Sequence, residues 1–78
     1  MAAITISNLI SSVPQASATT DTKLQWLADA LIWAQAKDEP IVQTDARAGL
    51  LYSRQDGVLD NMVRVAYSEL VSINKGVS

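Results

Sequence analysis

The fold is decided by residues 22–37, which read TKLQWLADALIWAQAK. Thr22 and Gln25 have the spacing of a capping box, in which each side chain satisfies a backbone N–H that the first helical turn leaves unpaired. The apolar residues that follow recur every three or four positions, and this spacing predicts a helix over 22–37. Pro40 prevents much continuation beyond Asp38, because proline disfavours the helical conformation of the residue before it.

This helix carries apolar side chains on two separate faces. At about 100° per residue its leucines form one stripe, whereas Trp26 and Trp33 lie together on the other side and Ala30 bridges the two faces. A single layer of neighbouring structure covers only one of these faces. Two interpretations stay open: the short first helix or the C-terminal tail covers the tryptophans, or Trp26, Ala30 and Trp33 form a protein interface, where tryptophan is enriched among the residues that dominate binding.

The first twenty residues contain no charged side chain, since Asp21 is the first one. We expect a short helix here that begins at a Ser7 cap and ends before Pro14. It either packs on its own domain or forms an arm that docks on a neighbouring subunit, because covering an uncharged segment costs little. The candidate docking residues of this arm are Ile4, Ile6, Leu9 and Ile10.

The C-terminal half is expected to form one long helix over 45–73, capped by Thr44 after an extended connection at 41–43. Its apolar residues, including Leu51 and Tyr52, share an arc of about 120° that continues across Gly57. A break within 53–57 stays open as the alternative, because glycine weakens a helix by about 1 kcal/mol relative to alanine.

An unbroken helix over 45–73 would be ~43 Å long at ~1.5 Å per residue. It would extend well past the helix over 22–37, so one of its ends would have no partner within the chain. Leu50 and Val71 lie off its main apolar arc, and we predict that they contact another chain.

These patterns predict an all-α fold, a small helical bundle of two to three helices with a short N-terminal helix or arm and a long C-terminal helix. Residues 1–20 are the uncharged arm or short helix, and residues 21–78 are the helical domain. At 78 residues the chain has room for one small domain.

Composition excludes several classes of function. The chain has no cysteine and no histidine, so disulfides, thiolate metal sites and histidine-based catalysis are absent, and we predict no catalytic, cofactor-binding or metal-binding residues. Asp56 and Asp60 stand four residues apart, but without a third acidic ligand nearby we interpret them as solvated. The six basic residues are scattered singly and are outnumbered by eight acidic ones, which disfavours nucleic-acid binding.

The N-terminal segment also lacks the features of a signal peptide. No basic residue precedes its apolar residues, and hydroxyl side chains interrupt them, so we expect no cleaved signal. No run reaches the ~18 apolar residues of a membrane span. The expected protein is soluble and acidic, and it lies in the cytoplasm or in a virion with no membrane partner.

Two functions fit these observations. The first is a non-enzymatic structural or assembly subunit, a homo-oligomer or a part of a larger protein assembly, with components of viral particles among the settings. It is motivated by the uncharged N-terminal arm, the two apolar faces of the helix over 22–37, the excess length of the helix over 45–73 and the absence of a catalytic residue set. The alternative is a small protein-binding module or inhibitor that captures a partner protein through Trp26 and Trp33.

Overall fold

The computed structural model describes residues 4–55 and 57–77. Four helices follow one another along the chain: α1 (Ile6–Ser11), α2 (Thr20–Lys37), α3 (Pro40–Leu51) and α4 (Val58–Val77). Helices are the only regular secondary structure among the described residues, and α4 is the longest of them. The prediction of a small all-α bundle with a long C-terminal helix is therefore confirmed.

Threonine hydroxyls cap the first two helices. Thr5 accepts a hydrogen bond from the backbone N–H of Asn8, and Thr19 accepts one from that of Thr22, both at 3.2 Å. The predicted caps at Ser7 and Thr22 were therefore placed two to three residues too late. The Thr22 hydroxyl instead lies 2.8 Å from the Thr19 hydroxyl, so the two side chains are hydrogen-bonded within the first turn.

A tight turn connects α2 to α3. Asp38 adopts a left-handed conformation with φ of 57°, and the Glu39 N–H donates to the Ala34 carbonyl at 2.9 Å, as in a Schellman motif. Pro40 then occupies the first turn of α3, where its missing N–H costs no hydrogen bond. The predicted extended connection at 41–43 is wrong, because proline that ends one helix is also well suited to begin the next.

The predicted continuous helix over 45–73 is also wrong, and the alternative of a break is confirmed. α3 ends at Leu51, and α4 begins at Val58 after a turn in which the Gln55 N–H donates to the Tyr52 carbonyl. Gly57 has a φ of 77°, a conformation that favours glycine. Breaking the helix lets both halves pack on α2: the longest dimension of the molecule is 35 Å, less than the ~43 Å of an unbroken helix.

The core lies where α3 packs against both α2 and α4, and α1 closes one end by packing on α2 and α4. The helices approach one another closely at Gly49, because a Cβ atom added there would lie 2.6 Å from Leu27 and 3.0 Å from Met62. The Cα radius of gyration is 11.6 Å, as expected for a folded chain of this length. The buried apolar residues are Leu9, Trp26, Leu27, Ala30, Trp33, Ala34, Val42, Ala46, Leu59, Val63, Ala66 and Leu70.

Candidate functional site

The three α2 residues that the sequence singled out as an interface lie in the core of this chain. Trp26 and Trp33 are only 4% and 6% exposed, and Ala30 is fully buried. The indole N–H of Trp26 donates a 2.9 Å hydrogen bond to the carbonyl of Leu9, at the end of α1. The first helix thus covers Trp26, which is the first of the two interpretations that the sequence left open.

The other predicted interface residues also contribute to the chain's own fold or lie at its edge. Leu9 is buried, and α1 packs within the bundle instead of extending from it. Val71 is half-buried on α4. Four more predicted residues are partly buried and pack against the core, namely Ile4, Ile6, Ile10 and Leu50.

The large apolar side chains that are exposed lie elsewhere. Ile41 is 66% exposed, Leu51 is 74% exposed and Tyr52 is 51% exposed, and all three belong to α3 or to the residue that ends it. Ile32, on α2, is the fourth large apolar residue in this class among the described residues. Single exposed apolar residues are common on protein surfaces, but several on one helix form a patch.

On α3 the exposed residues occupy one side of the helix. We define the α3 face as Ile41, Thr44, Ala48 and Leu51, which fall within about 80° of one another, with Tyr52 adjoining its end. The buried side of the same helix, roughly opposite, carries Val42, Ala46 and Gly49. The α3 face therefore points away from the core.

Contacts on the two flanks of α3 confirm this orientation. Gln43 donates a hydrogen bond from its side-chain amide to the Ala34 carbonyl of α2 at 3.4 Å, and Asp45 lies against Glu69 of α4. The hydroxyl of Thr44 donates to the Pro40 carbonyl at 2.9 Å, within α3 itself. The Thr44 hydroxyl therefore keeps its hydrogen-bond acceptor when another molecule covers the α3 face, and its burial there costs no hydrogen bond.

The sequence reasoning missed this face for an identifiable reason. It assigned Ile41 to an extended connection and placed Leu51 and Tyr52 on the inward arc of one long helix. The helix break between Leu51 and Val58 separates α3 from α4, so that the apolar side of α3 has no fixed angular relation to that of α4. Treating Pro40 as a helix start would have placed Ile41 and Leu51 on one face, away from Val42.

Two carboxyl groups meet beside this face, where α3 packs on α4. One side-chain oxygen of Asp45 and one of Glu69 are enclosed, and neither receives a hydrogen bond from an N–H or hydroxyl group of the described residues. Burial, together with the neighbouring Asp45 carboxyl, raises the pKa of Glu69 from its ordinary 4.5 to about 7. A proton on Glu69 therefore lets the two carboxyl groups share a hydrogen bond across the helix pair.

A shallow cleft of about 300 Å³ lies between the α1–α2 connection and α4. Its charged wall is Lys23, whose ammonium group donates to Asp60 at 2.7 Å and to the Ala16 carbonyl at 2.9 Å. Asp60 was expected to be solvated. Its side chain is 52% exposed and pairs with Lys23, whereas Asp56 lies outside the described residues. The Lys23–Asp60 ion pair of this cleft is thus already used in joining α2 to α4.

Neither a metal-binding cluster nor a membrane-spanning helix is found in the described part of the chain. No group of three or more acidic side chains is arranged to hold a metal ion within residues 4–55 and 57–77. Over the same residues, none of the helices has the length and apolar character needed to cross a bilayer.

The chain was compared with models of known protein families, with curated proteins and with solved structures, and none of the three comparisons gives a match.

Proposed function

We propose that this protein is a non-enzymatic assembly subunit that contacts other protein chains through the α3 face. The observation that carries this proposal is the exposure of Ile41, Leu51 and Tyr52 on one helix, each by half or more. The size of these residues and their exposed fractions correspond to roughly 400 Å² of exposed surface, most of it apolar, comparable with the ~300–600 Å² of the largest patches on ordinary monomers, which are often functional. Covering such a patch is favourable because it removes apolar surface from water.

The charges on α3 support a protein partner. Over its described length this helix carries one basic residue, Arg47, and one acidic residue, Asp45, and the latter is turned toward Glu69. The α3 face therefore offers no cluster of cations for phosphate groups. Apolar complementarity is what it presents, and a repetitive protein array, a viral particle among the examples, is a setting that would cover it.

Capture of a different protein through the tryptophans has less support. Trp26 and Trp33 are buried, and exposing them would require α1 to leave the bundle and the Trp26–Leu9 hydrogen bond to break. A binding module built on this chain would therefore also use the α3 face.

Site-specific photo-crosslinking in the cells that make the protein tests this proposal. A photoreactive phenylalanine analogue replaces Tyr52 in one variant and Ile32 in a matched control, because these residues are similarly exposed at 51% and 55%. We expect protein adducts, to copies of this chain or to another chain, from position 52 and far fewer from position 32. Equal labelling at both positions, or no protein adduct at position 52, would contradict the proposal.

A further inference from the structure

We infer that the α3 face pairs with the same face of a second copy of this chain, with the two α3 helices antiparallel about a two-fold axis that crosses the α3 face between Thr44 and Ala48. The inference rests on the proposed function and specifies the partner and the geometry. It is carried by the order of residues along the α3 face.

The spacing of the α3 face is that of a helix-pairing seam. Ile41, Thr44, Ala48 and Leu51 are separated by three, four and three positions, the alternation of a and d positions in a heptad repeat. Isoleucine falls at an a position and leucine at a d position. Ile41, Thr44 and Leu51 of this seam are exposed and Ala48 is half-buried, so no helix of the described residues pairs along the seam.

The same seam is self-complementary when it is reversed. Read in either direction it gives a large residue, two small ones and a large one, and its midpoint lies at Ala46. In an antiparallel pair, Ile41 meets the partner's Leu51 and Thr44 meets the partner's Ala48. A two-fold contact requires this property, since the same patch serves both copies, whereas a contact with a different protein does not.

The small central residues and the helix ends favour the antiparallel arrangement. Thr44 and Ala48 allow the two helix backbones to approach closely at the crossing, and the Thr44 hydroxyl keeps its hydrogen bond to Pro40 when covered. Antiparallel helices also place the positive end of each dipole beside the negative end of the other. A parallel pair would place like ends together.

The available area sets the strength of the pairing. Complete coverage of two patches of roughly 400 Å² each, with the small residues and Tyr52 included, sets an upper limit of about 1,000 Å², at the low end for specific interfaces. We therefore infer a weak dimer, with a Kd on the order of 0.1 mM.

The exposed Arg47 lies at the edge of the α3 face near the two-fold axis, so the two copies bring like charges together. Added salt should therefore strengthen the dimer modestly.

Sedimentation velocity of the full chain from about 10 μM to 1 mM tests the pairing. We expect a monomer–dimer equilibrium that Leu51→Ser weakens at least about tenfold, because a two-fold interface contains each substitution twice. Ile32→Ser is the matched control, since Ile32 is exposed to a similar degree but lies on α2. Circular dichroism of both variants verifies that each remains folded.

Cross-linking tests the register, and the absence of native cysteine makes it selective. Ile41→Cys and Leu51→Cys proteins are treated, separately and mixed, with a short thiol-specific cross-linker. The antiparallel pair brings position 41 to position 51, whereas two copies of position 41 are separated by roughly 15 Å along the helix axes. We therefore expect cross-linked dimers in the mixture and few in either protein alone.

The outcomes separate this inference from the proposed function. A wild-type chain that stays monomeric at 1 mM, or efficient cross-linking of each cysteine variant with itself, overturns the antiparallel pairing. Neither result contradicts contact with another chain at Tyr52, which photo-crosslinking measures independently. A dimer that Leu51→Ser leaves intact also overturns the inference, because another surface would then form the contact.

Discussion

The indole N–H of Trp26 donates a hydrogen bond to the Leu9 carbonyl at 2.9 Å, and this contact between residues seventeen positions apart joins α2 to α1. It explains how both apolar faces of α2 are covered within a single small domain. The leucine side of α2 packs in the bundle core, and α1 covers the indole of Trp26. The tryptophan that suggested an interface in the sequence therefore holds the N-terminal segment in place.

Trp26→Phe should be more destabilising than Trp33→Phe. Both substitutions replace an indole by a smaller ring at a buried position, but the first also removes the donor to the Leu9 carbonyl. We expect Trp26→Phe to lower the free energy of unfolding by about 1 kcal/mol more, the net value of one buried hydrogen bond. Urea denaturation followed by circular dichroism measures the difference, and equal losses would show that this bond contributes nothing net.

Gly49→Ala should destabilise the bundle despite the higher helix propensity of alanine. The added methyl group would lie 3.0 Å from the Cβ of Met62 and 2.6 Å from a methyl group of the fully buried Leu27. Overpacking of this kind costs about 1–3 kcal/mol, more than the ~1 kcal/mol gained in propensity.

Gly76→Ala is the matched control, because nothing lies within 4 Å of a Cβ added there. We expect this variant to unfold at the wild-type denaturant concentration or slightly above it. A Gly49→Ala protein as stable as the Gly76→Ala protein would contradict the close approach of the three helices at Gly49.

Asp38→Gly should stabilise the turn between α2 and α3. Asp38 has a φ of 57°, in the left-handed region where a residue with a Cβ atom is strained and glycine is not. We expect a gain of about 0.5–1 kcal/mol, partly offset by the greater freedom of glycine in the unfolded chain. Thermal unfolding measures the gain, and Asp38→Ala, which keeps the Cβ atom, should show none.

Stability should fall as the pH rises from about 4.5 to about 7, because of Glu69. Its pKa is raised to about 7 in the folded chain, so between these values the folded state holds a proton that the unfolded state has released. The stabilising contribution is complete below pH 4.5 and is lost above pH 7, where Glu69 is ionised in the folded state as well.

Glu69→Gln removes one of the two charges and keeps a donor for Asp45. We expect it to raise the free energy of unfolding by about 1 kcal/mol at pH 8 and to leave it nearly unchanged at pH 4.5. Urea denaturation at the two pH values measures this difference. A variant with the wild-type pH profile would show that Glu69 does not titrate in this range.

Much of the fold was accessible from local patterns in the sequence. The helix near 22–37, the short helix before Pro14 and the all-α class follow from apolar spacing, hydroxyl caps and prolines, which act over a few neighbouring residues. The helix boundaries were less accessible. Thr19 and Thr22 are equally good caps by residue type, and Pro40 both ends α2 and begins α3.

What the sequence determined by itself is the supply of apolar surface: a short chain without cysteine or histidine, and with too few charged residues to cover it all. Only the tertiary structure decided which part of that apolar surface stays exposed. The helix break between Leu51 and Val58 lets α3 adopt an orientation independent of α4, so Val42 and Ala46 face the core while Ile41 and Leu51 face solvent. Local periodicity shows that a helix has an apolar side, but the direction of that side depends on contacts between residues far apart in the chain.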